Sequence, residues 1–232
     1  MKFRNIILFA LVVFAASCSK DNYDAPSATF SGTISYNGEP INVEYNQVRF
    51  QLWQGGYGKF TPIDVPIKQD GTFSSLLFNG KYTLTFPGGQ GPYMTVQNGS
   101  TKDTLSVDIS GNKEMDIEVI PYYMVRNHQF SYNSGVVTGS IKLDQIITDG
   151  NAKNVDRVFL YLNTTQFVSG AGSAKVAESS VAGSAITDMN NISLNVNVPS
   201  LTRTQNYIFA RIGVKIQGVE DMIFSPVVKL DM

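Results

Sequence analysis

The 232-residue chain contains one cysteine (Cys18), one histidine (His128) and one tryptophan (Trp53). A lone cysteine cannot close a disulfide within the chain or build a thiolate metal site. Without a second histidine there is no imidazole zinc site. A Ser-His-Asp site would have to use His128, in Arg126-Asn127-His128-Gln129, and no G-x-S-x-G elbow accompanies it. Walker and dinucleotide fingerprints are missing too; Gly88-Gly89-Gln90-Gly91 leads into no helix, so no cofactor is expected. Charge is sparse and balanced, with 18 Lys and Arg against 19 Asp and Glu. No basic patch stands out, which argues against a nucleic-acid partner. Beyond the N-terminal segment no apolar pattern follows a helical period.

The N-terminus carries what the rest lacks. Lys2 and Arg4 precede an apolar run of 11 residues, Ile6 to Ala16. A membrane span needs about 20 residues, so the run fits a secretory signal, with Ala15, Ala16 and Ser17 leading to Cys18. That ending resembles the lipobox of bacterial lipoproteins, which implies acylation of Cys18 and anchoring to a membrane. An ordinary cleaved signal with an incidental cysteine is the alternative. Acyl chains contribute about 0.8 kcal/mol per buried methylene, enough together to hold a protein durably. The acidic stretch Ser19 to Asp24 resembles the surface-export signal of Bacteroidetes lipoproteins; a solvated tether explains it equally. The expected location is the outer membrane, facing the cell exterior. Losing Lys2 and Arg4 with the signal moves the net charge from −1 to −3.

The remainder of the chain reads as strand. Val48, Phe50 and Leu52 alternate with Gln47, Arg49 and Gln51, and the same period recurs in Ile63–Ile67, Tyr82–Phe86, Leu105–Ile109 and Met115–Val119. Period two with one apolar face reads as half-buried antiparallel strands. Asn37-Gly38, Asp70-Gly71 and Asn79-Gly80 are turn signals. Pro62 and Pro66 mark an edge strand. A break at Ile120-Pro121-Tyr122 opens a second series: Val136–Leu143, Asp156–Leu162, Ile192–Val198, Tyr207–Ile216 and Ile223–Leu230, with Ser169–Ser184 as a long exposed connection holding one short strand. The predicted fold is all-β, two tandem β-sandwich domains after a lipoprotein signal peptide: signal 1–17, tether 18–28, sandwiches 29–120 and 121–232.

Ser31-Gly32-Thr33-Ile34, Gly38-Glu39-Pro40-Ile41, Asp70-Gly71-Thr72-Phe73 and Gly80-Lys81-Tyr82-Thr83-Leu84 resemble, in order, the motifs of a carboxypeptidase-regulatory-like (prealbumin-like) domain. The whole chain resembles a domain-of-unknown-function family of Bacteroidetes surface lipoproteins whose second half is immunoglobulin/fibronectin-like. Tyr207–Lys215 followed by Phe224–Leu230 carries that resemblance, as its closing strand pair. Such proteins are usually encoded beside outer-membrane glycan-import systems. The resemblance therefore implies a non-catalytic accessory for glycan capture, partnered by polysaccharide, an import transporter and that transporter's lipoprotein. The other reading is a structural or adhesive module that docks envelope proteins.

Aromatic residues supply the candidate ligand site. With Phe50 and Leu52 inward, parity puts Trp53 on the outer face, leading into a glycine-rich ribbon with Tyr57 and Phe60. A second loop, Pro87 to Tyr93, brings Tyr93. Flat rings beside amides suit the apolar faces and hydroxyl rims of sugars. Trp53 could instead turn inward at a bulge, pack against the second domain or meet a protein partner. Asp149 to Asp156 offers oxygen ligands for calcium, but Lys153 sits among them and a polar β-turn is simpler. Paired carboxylates of a glycosidase stay open with 19 acids present, although two short sandwiches leave little loop mass for a cleft. No enzymatic activity is expected.

Overall fold

The computed structural model describes residues 24–56, 60–96, 104–201 and 205–232; the signal peptide, the proposed lipidation site Cys18, most of the tether, and Tyr57 lie outside them. The first sandwich is built from β1 (Ala28–Tyr36), β2 (Glu39–Pro40), β3 (Arg49–Trp53), β4 (Ile63–Pro66), β5 (Thr72–Leu77), β6 (Gly80–Thr85), β7 (Tyr93–Thr95), β8 (Thr104–Ile109), β9 (Lys113–Glu114) and β10 (Ile117–Pro121). One sheet runs β2-β1-β10-β7, with β5 and β9 also on β1; the other runs β4-β3-β6-β8. Their inner faces meet on Phe30, Phe50 and Phe73, with ring centroids 4.9–6.4 Å apart.

The motif residues have physical reasons. Gly32 lets β1 lie against the chain before β10: a Cβ there would sit 2.0 Å from the Met115 carbonyl oxygen. Asn37 and Gly38 both adopt positive φ, as a two-residue hairpin requires. Asp70 Oδ1 accepts from the Thr72 amide and hydroxyl, closing the turn into β5. Asn79-Gly80 makes a turn that carries the chain from one sheet to the other, β5 pairing with β1 and β6 with β3. Pro66 ends β4 and Pro62 directly precedes it, and β4 is the free edge of its sheet.

The sheets change at Tyr122. The second sandwich pairs β11 (Tyr123–Asn133), β12 (Val136–Gln145) and β15 (Ile192–Asn197) in one sheet. The other holds β13 (Val155–Asn163), β14 (Ala177–Ala182), β16 (Tyr207–Ile216), β17 (Ile223–Phe224) and β18 (Val228–Asp231). β11 was not signalled by alternation, because a bulge between Arg126 and Gln129 breaks its period. The expected strand Ile223–Leu230 is two short ones, interrupted at Pro226. There the Ser225 hydroxyl accepts the Ile212 amide in place of a carbonyl. The connection Ser169–Ser184 holds the one short strand expected within it, β14, and departs from expectation at its start, where Ser169 is buried.

The two sandwiches share a polar seam. The Phe224 amide donates to the Asn42 carbonyl (3.0 Å), Gly91 N–H to Asp221 Oδ2 (2.7 Å) and Gln69 Nε2 to the Gln166 carbonyl (3.1 Å). Arg126 bridges Glu39 of the first sandwich and Asp144 of the second.

Candidate functional site

The outer face of the β4-β3-β6-β8 sheet is largely polar. Register aligns Trp53, Thr83 and Ser106 in one row and Asp64, Gln51, Thr85 and Thr104 in the next. Gln51 Nε2 donates to Asp64 Oδ1 at 2.9 Å, so the amide is held across the edge. Trp53 lies on this face, half-buried, while its neighbours Phe50 and Leu52 are wholly inside. Its Nε1–H donates to Thr85 Oγ1 at 2.9 Å, which fixes the indole across the strands. Phe60 packs against it, centroids 5.2 Å apart and planes at 36°, and keeps 63% of its surface exposed. Trp53 and Phe60 thus form one aromatic surface over a row of hydroxyls and amides.

Tyr93 does not join it. The expected exposed ring is a core ring, 6% exposed, because β7 pairs with β10 at Pro121 and turns Tyr93 onto Phe86 (5.8 Å, edge-on). Phe86 in turn touches Phe50 on the inner side of the sheet. The Tyr93 hydroxyl has no hydrogen-bond partner among the described residues; burial, then the nearby Asp221 charge, push its pKa up. Next to it, a seam crevice of about 300 Å³ is lined by the Pro87–Gly91 loop, Tyr122, Lys153 and Glu220.

His128 is exposed on the β11 bulge, beside a groove it shares with Glu39, Asp70 and Arg126. Among the described residues no three His, Cys, Asp or Glu side chains are grouped to hold a metal. Asp149 forms the polar turn: its Oδ1 accepts from Asn151 N and its carbonyl from Ala152 N.

Two rings escaped the sequence reading. Tyr45 and Phe167 meet across the seam at 4.6 Å, one from each sandwich, and remain 45% and 39% exposed. Tyr45 ends the short alternating run Ile41-Val43-Tyr45, whose first two members are core residues, so period two alone would place it inside; Phe167 stands in no alternating run.

Two family descriptions match the sequence: a protein of unknown function (DUF3823) N-terminal domain over residues 28–120, and a domain of unknown function (DUF3823_C) over residues 123–229. A solved DUF3823 family protein from Parabacteroides merdae is 32% identical, with a TM-score of 0.76 over 90% of this chain and 100% of that one. Another from Bacteroides ovatus is 29% identical, with a TM-score of 0.75 over 89% and 99%. A Bacteroides uniformis protein whose name proposes carbohydrate binding shares the fold at 19% identity, with a TM-score of 0.67 over 90% and 100%. No curated protein matches. With both sandwiches covered by the two family descriptions and solved relatives aligned over nearly their whole length, the chain belongs to the DUF3823 family.

Proposed function

We propose that this protein is a non-catalytic surface lipoprotein, anchored in the outer membrane through Cys18, whose first sandwich captures glycan for a neighbouring import transporter and its lipoprotein. The observation that carries the reading is the Trp53–Phe60 pair on a polar sheet face. Sugar rings stack their C–H faces on such surfaces while Gln51, Thr83 and Ser106 bond the hydroxyls. Side chains set in rows across an open sheet face suit a length of polymer rather than a chain end. The carbohydrate-binding name of the Bacteroides uniformis relative supports the same direction.

Affinity electrophoresis against plant, host and microbial polysaccharides tests it. Retardation that falls in both Trp53→Ala and Phe60→Ala, with unchanged circular dichroism, is the expected result. Phe60, so widely exposed, favours a second reading in which the same face docks an envelope protein. That reading predicts no retardation and co-purification with envelope components that Phe60→Ala abolishes. The anchor is checked separately: Cys18→Ser should move the protein from the membrane fraction to the soluble one.

A further inference from the structure

We propose a second glycan subsite at the seam, formed by Tyr45 and Phe167 and selective for neutral pyranose units over uronic acids. It shares only the ligand class with the outer-face reading, and variants at the two places separate them.

The rings sit in a crevice of about 300 Å³ that both sandwiches line, with Glu44 and Gln47 on one side and Ser173 on the other. That volume is at the small end for ligand pockets, which suits a single sugar unit. The Glu44 carboxylate, the Gln47 amide and the Ser173 hydroxyl make no hydrogen bond or ion pair with the described residues. They therefore offer an acceptor, a donor–acceptor and a hydroxyl beside two exposed rings, the combination a pyranose uses.

The site is built before any ligand arrives. Tyr45 stands on a turn closed by Gln47 N–H to the Glu44 carbonyl (3.4 Å), with Asn46 at φ 59° and buried Val43 and Val48 on either side. Phe167 is fixed from behind. Asn163, itself buried, donates Nδ2 to the Phe167 carbonyl at 2.6 Å, and the adjacent Val168 is buried against Tyr161 and Phe224. A pair that served only to close the seam would have no need of its open edge. The sandwiches are already joined through Asn42, Gln69, Gly91 and Arg126.

Charge decides the class of sugar. Glu44 lines the crevice with no ion-pair partner among the described residues. The guanidinium whose charge it feels, Arg211, is fully buried and directs its hydrogen bonds to the carbonyls of Ser225 and Gln69, so it reaches no ligand in the crevice. A uronate would bring a second carboxylate beside Glu44 without a cation to pair with, which disfavours it against a neutral unit.

The experiment is affinity electrophoresis of the purified protein in gels containing galactomannan, xyloglucan, yeast mannan or laminarin, all neutral, and polygalacturonate, which is not. At least one neutral polymer should retard the wild type and polygalacturonate should not. Tyr45→Ala and Phe167→Ala should each weaken retardation about five- to tenfold, the size of one lost ring contact. Tyr45→Trp in a Trp53→Phe background keeps a ring at the site and makes it the sole indole. Its emission should shift when the retarding polymer is added. The proposal is overturned if no neutral polymer retards the protein, if polygalacturonate does so equally, or if both alanine variants run as wild type. Loss confined to Trp53→Ala and Phe60→Ala would remove the seam subsite and leave the outer face standing; the converse would leave only the seam.

Discussion

Arg211, in the middle of β16, donates from Nη2 to the carbonyl of Gln69 across the seam at 2.7 Å. Its Nε–H donates to the Ser225 carbonyl at 2.8 Å, and its guanidinium lies 4.3 Å from the centre of the Phe224 ring. Among the described residues no carboxylate pairs with it, and Nη1 and the Gln69 Oε1 are both left without partners. Burial pulls its pKa down to about 9, against the smaller opposing pull of Glu44 and Asp70, so it stays protonated at neutral pH. Arg211→Ala removes the packing and orphans two buried carbonyls, with an expected loss of about 3–5 kcal/mol in urea unfolding. Arg211→Met keeps most of the volume over Phe224 and discards a buried charge, so it should lose only about 1–2 kcal/mol. A Met variant as damaged as the Ala variant would show that the two carbonyl bonds, and not packing, hold the seam.

Thr85 sets the pose of Trp53. Thr85→Val keeps the strand propensity and the volume but removes the acceptor for Nε1–H. On a half-exposed site water replaces the bond, so the cost should stay near 1 kcal/mol or below. The indole then gains rotamer freedom, and any glycan stacking on it should weaken with little change in melting temperature. Tryptophan emission, which has a single source in this chain, reports the change directly.

Asp221 is mostly buried, and its pKa is raised above the ordinary carboxylate value. Burial is the main cause, opposed by the Gly91 N–H and helped by neighbouring Glu220. A carboxyl with a raised folded pKa binds protons more readily in the native state, so it lowers stability as pH rises from its unfolded value through its folded one. The penalty is absent below about pH 4 and grows as pH rises above it. Asp221→Asn keeps an oxygen for Gly91 and removes the ionisation. It should be more stable than wild type at pH 7 and no more stable near pH 3.5, as read by urea midpoints at the two pH values.

Much of this architecture could be read from the residues. The inward faces of β3, β6, β8 and β10 are the alternating apolar positions, and β16 spans Tyr207–Ile216 as its pattern indicates. Parity alone placed Trp53 outside. What was hidden depends on long-range partners. β11 contains a bulge whose register is set by β12, and Tyr93 is drawn inward by its pairing with Pro121, at the far end of the sandwich's sequence. The Gly- and Ser-rich run after Val168 reads as solvent-exposed, yet Ser169 is buried and Asn163 donates to the Phe167 carbonyl just before the run and to the Ser173 carbonyl (3.5 Å) within it, a role that no local pattern announces. The Tyr45–Phe167 contact joins positions more than a hundred residues apart, and only the assembled seam brings it into being.

Asn163 gives the sharpest test of how that loop is held. Its Nδ2 donates to the Phe167 carbonyl and to Thr165 Oγ1, and its Oδ1 accepts from Thr164 N–H, so one buried amide fixes both ends of a turn. Asn163→Ala should cost about 1–3 kcal/mol through the orphaned groups, and it should speed amide exchange in residues 164–173 without changing the β13–β16 ladder. Asn163→Asp separates the two roles. A carboxylate still accepts from Thr164 but faces the Phe167 carbonyl with a lone pair where a donor stood. At neutral pH it should therefore be at least as damaging as alanine. Burial and the carbonyl both raise the folded pKa of this introduced acid, so the protonated form can donate again and stability should recover as pH falls toward 4. Urea unfolding of the two variants between pH 4 and 7 checks this. Asp rising toward wild type at low pH while Ala stays flat would establish that it is the donor to Phe167 that holds the loop.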